Sequence, residues 1–540
     1  MTDLPFDTMI PNTQLAENYF KQHNHVFYDG DEAVRFTLTD GFNTIESRKD
    51  ATCLLKNIDD KDCKGRKASE IHLIDFKLMK LRKELEINAN LFSQIEFLIR
   101  KVPIDDVLNC DLKLISQNIL YNTTTSFTTP IKRCTCILMD NSPLALFGSV
   151  VQILRKFTSC MIIVSRLRAV VGHLFVELCH KVGLNEVELI FDKRSSLVNI
   201  YFKNLDRGAS SFDSGCVGVI TENGDIDSAV DVLIETTVRH PWQLRRILVQ
   251  ENVYTTFKNA MRWKTQQDLG EQTKFSAESF SYKGKQFFLD YTQTDRINEY
   301  IAVESYRTTK ELLTLLNKYN NFYMSLWTSS LVESNEITHY ASSDIVWINH
   351  FGVFDGPPQA SQAIYGAVFL IYCPLVRFFV SKNWSTQQKD WLKLSFHERC
   401  SKINFCLSEC YENFPQLHQF LTCLRDWQPD SVYSDNGKTC VCTTKPRNMI
   451  CYKKIKQEDS SGVKSVIRLL ALGYAIIDNS ESDVVADFTR KMSAIGAPIL
   501  TFSTSEFENS VAIEAADLIN DDFLCRTKVV YSNFGTIFAN

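Results

Sequence analysis

Short apolar runs alternate with amphipathic stretches along most of the chain. Residues Phe76 to Lys101 place leucines and isoleucines at helical spacing among charges, which predicts an amphipathic helical segment or a helix hairpin. After Pro130, the apolar runs Cys134 to Met139 and Met161 to Val164 enclose a helical pattern from Leu144 to Leu154. This order predicts a strand, a helix and a second strand.

The same alternation continues and implies a parallel, doubly wound sheet. We therefore expect an α/β fold with Rossmann-like parallel sheets and helices on both faces. The further predicted elements are helix Val170 to Val182, strand Val187 to Phe191, strand Val217 to Ile220, helix Asp225 to Thr237, strand Ile247 to Gln250 and helix Asn252 to Arg262.

The later part of the chain has a different texture. Its most apolar stretch, Ala363 to Val380, contains Pro374 and Arg377 and is shorter than the ~20 apolar residues of a spanning helix, so we expect a buried helix and no membrane contact. Residues Cys400 to Leu424 predict helix with a break at Pro415.

Two segments suggest a partial internal repeat. Lys438 to Thr443 aligns with Lys132 to Ile137, and Ser465 to Leu470 aligns with Ser149 to Leu154. Each pair is followed by a short apolar run. We therefore expect the region after residue 366 to be a truncated second copy.

Composition and charge exclude several classes. At 540 residues the chain is too long for one core, and two or three domains are expected. The net charge of -5 and the scattered Lys and Arg residues give no nucleic-acid footprint. The N-terminus lacks the basic start and apolar run of a secretory signal, so we expect a cytoplasmic protein.

The 17 cysteines are then expected to be reduced thiols. Cys134 and Cys136, like Cys440 and Cys442, have the spacing of zinc ligands, yet on a strand each pair shares one face. The alternative is that they are buried thiols packed as small hydrophobic groups. Core packing is also the expectation for the helical cysteines Cys400, Cys406 and Cys410.

Four motifs follow one another along the chain: Asp140-Asn-Ser-Pro-Leu, Gly224-Asp-Ile-Asp-Ser-Ala-Val with Arg246-Ile-Leu-Val-Gln-Glu, Tyr306-Arg-Thr-Thr-Lys-Glu-Leu-Leu, and Ile345-Val-Trp-Ile-Asn. In this order they resemble the aldehyde dehydrogenase superfamily, and the partial second copy resembles its tandem branch, aldehyde dehydrogenase family 16. The resemblance implies three domains: 1–207, N-terminal helices and a degenerate cofactor-type domain; 208–365, a degenerate catalytic-type domain; and 366–540, a truncated copy.

The resemblance implies an active site whose catalytic groups are missing. The family uses a Cys nucleophile before the "VQE" strand, where this chain has Pro241 or Trp242, and a Glu base where it has Ser211. Asp213 is an alternative base. Asn141 corresponds to the oxyanion asparagine and is either a relic donor or a turn residue.

The cofactor-binding residues of the family are also replaced. Ile163 or Val164 stands at the position of the ribose-binding lysine, and Gly208 is all that remains of the glycine-rich turn. Arg166 is either a phosphate ligand or a surface residue, and Glu299 is a weak remnant of the ribose glutamate. No cofactor is expected, with NAD or NADP as the ligand if any binding is retained.

Three functions follow from these replacements. The first is a pseudoenzyme that serves as a scaffold or protein partner, including a homo-oligomer. The second is an NAD(P)-dependent oxidoreductase with substituted catalytic groups, and the third is a nucleotide or small-ligand sensor that uses the crevice at a switch point of the sheet.

Overall fold

The computed structural model places two large sheets and one small sheet among helices. Among the residues it describes, no helix is both long enough and apolar enough to cross a bilayer. The described residues are 13–28, 33–39, 42–48, 68–120, 133–138, 143–156, 158–192, 215–235, 242–269, 279–282, 285–291, 300–319, 321–354, 369–372, 378–379, 386–410, 415–426, 431–435, 438–446, 450–453, 459–478, 483–500 and 525–533.

The strands are short and rich in β-branched and aromatic residues, which suit a pleated sheet. They are β1 (Ala33–Thr39), β2 (Phe42–Arg48), β3 (Arg133–Leu138), β4 (Cys160–Val164), β5 (Val187–Phe191), β6 (Cys216–Ile220), β7 (Leu244–Gln250), β8 (Ser279–Tyr282), β9 (Lys285–Leu289), β10 (Tyr300–Tyr306), β11 (Tyr323–Trp327), β12 (Ile345–Ile348), β13 (Phe369–Tyr372), β14 (Phe378–Phe379), β15 (Ser431–Asp435), β16 (Lys438–Pro446), β17 (Ile450–Lys453), β18 (Ala475–Asp478), β19 (Ile499–Leu500) and β20 (Cys525–Asn533).

The helices connect these strands or precede them. They are α1 (Gln14–Tyr28), α2 (Ala68–Ile87), α3 (Ala89–Arg100), α4 (Leu112–Leu120), α5 (Gly148–Lys156), α6 (Ala169–Lys181), α7 (Ile226–Glu235), α8 (Glu251–Leu269), α9 (Thr309–Tyr319), α10 (Leu331–Tyr340), α11 (Thr386–Lys393), α12 (Phe396–Cys410), α13 (Pro415–Asp426), α14 (Asp459–Leu472) and α15 (Asp483–Ala494). Shorter turns are α-helical at Ile104–Asp106, π-helical at Val107–Asp111, and 3-10 at Leu144–Phe147 and Arg166–Arg168.

The first sheet has the strand order β13-β3-β4-β5-β1-β2. Its centre is parallel, with β3 beside β4 and β4 beside β5, because α5 and α6 return the chain between successive strands. Every residue of β4 is buried, as in a strand covered on both faces. The hairpin β1–β2 joins antiparallel at β5, and β13 joins antiparallel at β3.

The second sheet has ten strands in the order β15-β16-β20-β12-β11-β6-β7-β10-β9-β8. From β20 to β9 neighbouring strands are parallel, and the strands at both ends are antiparallel. The predicted α/β class with parallel sheets is thus confirmed. A small third sheet, β14-β17-β18-β19, packs with α12, α14 and α15.

Two sequence predictions are wrong. The stretch Ala363 to Val380 is not a buried helix in its described part, because β13 pairs with β3 and β14 pairs with β17. Phe, Ile and Tyr favour strands when a partner edge is available.

The alignment of Lys438 to Thr443 with Lys132 to Ile137 also fails. β16 is an antiparallel strand between β15 and β20, whereas β3 is parallel to β4. It is β17, followed by α14 and the parallel strand β18, that repeats the order of β3, α5 and β4.

Candidate functional site

Parallel pairing places the first residues of β6 and β7 side by side, and the predicted base and nucleophile positions come shortly before these strands in the sequence. β6 and β7 are neighbours, and the Cys216 N–H donates to the Gln243 carbonyl over 2.8 Å where the two strands begin. The segments that carry the predicted base and nucleophile positions precede these strands. Ser211, Asp213 and Pro241 themselves lie outside the described residues.

Trp242 is a core residue. Its side chain is 4% exposed, and its ring centroid lies 4.9 Å from that of Phe354 and 6.1 Å from that of Tyr323, edge to face in both cases. Such contacts add to the large apolar area that a buried Trp contributes. An indole in this setting offers no nucleophile and no base.

Gly215 fixes the backbone at the start of β6. Its φ is +64°, and a Cβ added there would lie 2.2 Å from Arg245 Cγ and 2.8 Å from the Gln243 carbonyl oxygen. Only glycine fits this close approach without movement. The entry to β6 is therefore tightly packed against the entry to β7.

Cys216 is the first residue of β6 and carries a thiol. Its side chain is fully buried, and burial raises the pKa of the Cys216 thiol well above its usual value. A thiol must ionise to act as a nucleophile. Cys216 therefore does not replace the catalytic cysteine.

The carboxyl end of β4 carries the predicted cofactor position. Ile163 and Val164, one of which is predicted to stand at the position of the family's lysine, are fully buried in the core. Arg166 begins the 3-10 turn that follows and is exposed. Asn141 and Glu299 lie outside the described residues.

A buried ionic cluster lies beside this turn. Glu96 accepts from Arg100 over 2.7 Å and from Arg168 over 2.5 Å, and the side chains of Glu96 and Arg168 are 1% and 0% exposed. Because the Arg168 side chain is fully buried and its Nη1 is paired with Glu96, it is not available to a cofactor phosphate.

Asp111 completes this cluster at the end of the π-helical turn. Its Oδ1 accepts from the Ala145 N–H over 3.2 Å, at the start of the turn that leads into α5. Burial, with the Glu96 charge as a second cause, raises the pKa of Asp111 to about 7. Asp111 is thus a proton-binding group near neutral pH.

Sequence reasoning missed the Glu96, Asp111 and Arg168 cluster. Glu96 is a buried residue of α3 that interrupts the apolar sequence Ile95-Glu-Phe-Leu-Ile. A carboxylate inside an apolar run is the pattern that could have revealed it, because buried charges require a partner.

A switch point of the second sheet lies between β6 and β11, because the chain continues from β6 to β7 on one side and returns to β11 on the other. Such a crevice is a common ligand site. Here the adjoining loops bond directly: the Thr221 N–H donates to the Trp327 carbonyl over 3.1 Å, and Ser329 Oγ donates to the Asn223 carbonyl over 2.8 Å.

This contact leaves little space at the switch point. A Cβ on Gly224 would lie 2.5 Å from the Trp327 carbonyl oxygen. The two loops therefore pack against each other at the place where a ligand would have to enter.

Most cysteines with described side chains are buried, and Cys110 is partly buried. Cys440 and Cys442 are each 1% exposed, with their sulfurs 3.9 Å apart, and hydrogen bonding between them together with burial raises the pKa of Cys440. Cys400 and Cys406 are also 1% exposed. The prediction of core packing is confirmed for these four residues.

Comparison with known proteins identifies structural relatives. No protein-family model matches the sequence, and no curated protein matches it. A betaine aldehyde dehydrogenase from Staphylococcus aureus, in complex with NAD+, is 13% identical, with 62% of this chain and 90% of that chain covered and a TM-score of 0.45. An NAD-dependent aldehyde dehydrogenase from Sinorhizobium meliloti is 12% identical, with 53% and 75% covered and a TM-score of 0.41.

These solved structures belong to the superfamily that the sequence motifs resemble. The tandem organisation of this chain remains a prediction.

Proposed function

We propose that this protein is a non-catalytic aldehyde dehydrogenase relative that acts as a cytoplasmic scaffold or interaction partner. One observation carries the proposal: Trp242, which with Pro241 is one of the two residues predicted at the nucleophile position, is packed into the aromatic core. Without a nucleophile, an aldehyde cannot form the covalent adduct from which hydride leaves.

Two further observations support the loss of chemistry. Cys216, the thiol at the start of β6, has a raised pKa and stays protonated at neutral pH. Ile163 and Val164 are buried apolar residues where the ribose-binding lysine belongs. A scaffold needs neither group, because its function depends on shape and surface.

The test is calorimetric titration with NAD and NADP, run beside an assay of aldehyde-dependent NADH absorbance. We expect no turnover and no micromolar binding, with an active aldehyde dehydrogenase as the positive control. Aldehyde-dependent NADH formation by the purified protein would refute the proposal.

Binding without turnover would favour the ligand-sensor alternative. In that case Arg166, which is exposed at the carboxyl end of β4, would be the candidate phosphate ligand. Arg166→Ala would then weaken binding, whereas Arg307→Ala, which removes an arginine that is 76% exposed and paired with Glu251, would leave it unchanged. A native mass measurement of the purified protein and of material captured from cells tests the homo-oligomer and partner expectations.

A further inference from the structure

Four polar side chains from two helices meet between α1 and α6. Tyr19 and His23 lie four residues apart on α1, and His173 and Glu177 lie four residues apart on α6. Residues at this spacing share a helix face, as His173 and Glu177 do on α6. His23 lies at a kink of α1, and its ring centroid is 4.3 Å from that of Tyr19. One potential ligand atom each from His23, His173 and Glu177 lies within 4.8 Å of the others.

Hydrogen bonds hold this group in place. Tyr19 Oη lies 2.7 Å from His173 Nδ1 and donates to Glu177 Oε2 over 3.1 Å. His23 Nδ1 lies 3.1 Å from the Tyr19 carbonyl oxygen, to which it donates. The lone pair of His23 is then on Nε2. A metal-binding histidine typically donates its other ring nitrogen to a carbonyl or carboxylate in this way.

Two of the four side chains are buried and two are partly accessible to solvent. His173 is 3% exposed and Tyr19 is 7% exposed, and the Phe36 ring lies 4.6 Å from the His173 ring. His23 and Glu177 are only half-buried, which leaves an approach for an ion. Two neutral imidazoles and one carboxylate provide the nitrogen and oxygen donors that first-row transition metals prefer.

We propose that His23, His173 and Glu177 bind a divalent transition metal, with Zn²⁺ as the expected ion, and that this ion clamps α1 onto α6. Zn–N bonds of about 2.0–2.1 Å place tetrahedral ligands roughly 3.3 Å apart. The ligand atoms, which are within 4.8 Å, therefore have to approach further, and rotation of the half-buried His23 and Glu177 side chains provides this movement. The Tyr19 hydroxyl then acts either as the fourth ligand, through its oxygen, or as a hydrogen-bond partner of Glu177.

The proposal is independent of the proposed scaffold function and is tested with the metal alone. Co²⁺ is titrated into metal-free, reduced full-length protein while the visible spectrum is recorded. We expect one equivalent to produce d–d bands without a thiolate charge-transfer band, because nitrogen and oxygen are the donors. His23→Gln and Glu177→Gln should each weaken Co²⁺ binding at least about tenfold. A loss of this size is already typical when a residue that only hydrogen-bonds to a metal ligand is removed.

The matched control is His397→Gln, which removes an exposed histidine on α12 and should leave Co²⁺ binding unchanged. Zn²⁺ should raise the Tm of the wild type and of this control but not of His23→Gln. X-ray absorption at the zinc edge of the wild type, which needs no variant to fold, should show nitrogen and oxygen neighbours.

Three results would overturn the proposal. The first is an absence of Co²⁺ binding by the wild type, which would make the cluster a hydrogen-bonded core only. The second is a spectrum or absorption edge dominated by sulfur, which would assign the ion to cysteines. The third is equal affinity in His23→Gln, Glu177→Gln and the wild type.

Discussion

Replacing Asp111 by Asn should remove a pH dependence of stability that originates in the buried cluster. Asp111 is fully buried beside Glu96, and its pKa is raised from 3.8 to about 7. A carboxyl group with a raised folded-state pKa contributes stability that is fully present below the unfolded pKa. This contribution is lost as the pH rises through the folded pKa.

The magnitude follows from the size of the shift. One pKa unit corresponds to about 1.4 kcal/mol, so the shift from 3.8 to about 7 corresponds to about 4 kcal/mol between the two limits. Between pH 5 and pH 8, the wild type should lose about 3 kcal/mol of this contribution.

The assay is chemical denaturation of the wild type and Asp111→Asn at several pH values from 5 to 8, with secondary structure and tryptophan emission followed in parallel. The Asn side chain keeps an oxygen acceptor for the Ala145 N–H but cannot ionise. Asp111→Asn should therefore become the more stable protein, relative to the wild type, as the pH rises. Asp105→Asn, an exposed neighbour, should show no such change. A constant difference between Asp111→Asn and wild type across this range would refute the reasoning.

Other substitutions test the packing at the start of β6 and β7. Trp242→Ala should cost about 3–5 kcal/mol in the free energy of unfolding, measured by denaturation, without creating dehydrogenase activity. Gly215→Ala should lower the Tm more than Gly352→Ala: both glycines have positive φ, but only at Gly215 would the added Cβ meet atoms closer than 3 Å. Cys216 and Cys440 should resist alkylation in the native protein at neutral pH and react after denaturation, as peptide mass spectrometry would show.

Periodicity predicted the elements whose pattern is local. β5 spans Val187–Phe191 as expected, and α6 spans Ala169–Lys181, one residue earlier than expected at each end. Both segments are apolar runs whose spacing fits one kind of structure. The strands at the sheet margins were beyond such reasoning, since β13 and β14 are strands through pairing with distant edges.

For the candidate site, the sequence predicted positions but could not predict their environments. It predicted Pro241 or Trp242 at the nucleophile position, whereas the contact of the Trp242 indole with Phe354 depends on residues more than a hundred positions away. The Glu96–Arg168 pair has the same character, because no local pattern joins α3 to the turn after β4. Long-range pairing of buried groups is a property of the fold rather than of a segment.

The position of β20 also has a consequence for biosynthesis. β20 lies between β12 and β16, so the edge of β12 stays unpaired until residue 525 has been synthesised, 177 positions after residue 348. At about 5–20 residues per second, that delay on the ribosome is roughly 10–40 seconds. During this delay the sequence Ile-Val-Trp-Ile of β12 has an unpaired edge with which a strand of another chain can pair and aggregate. Chaperones shield segments of this kind.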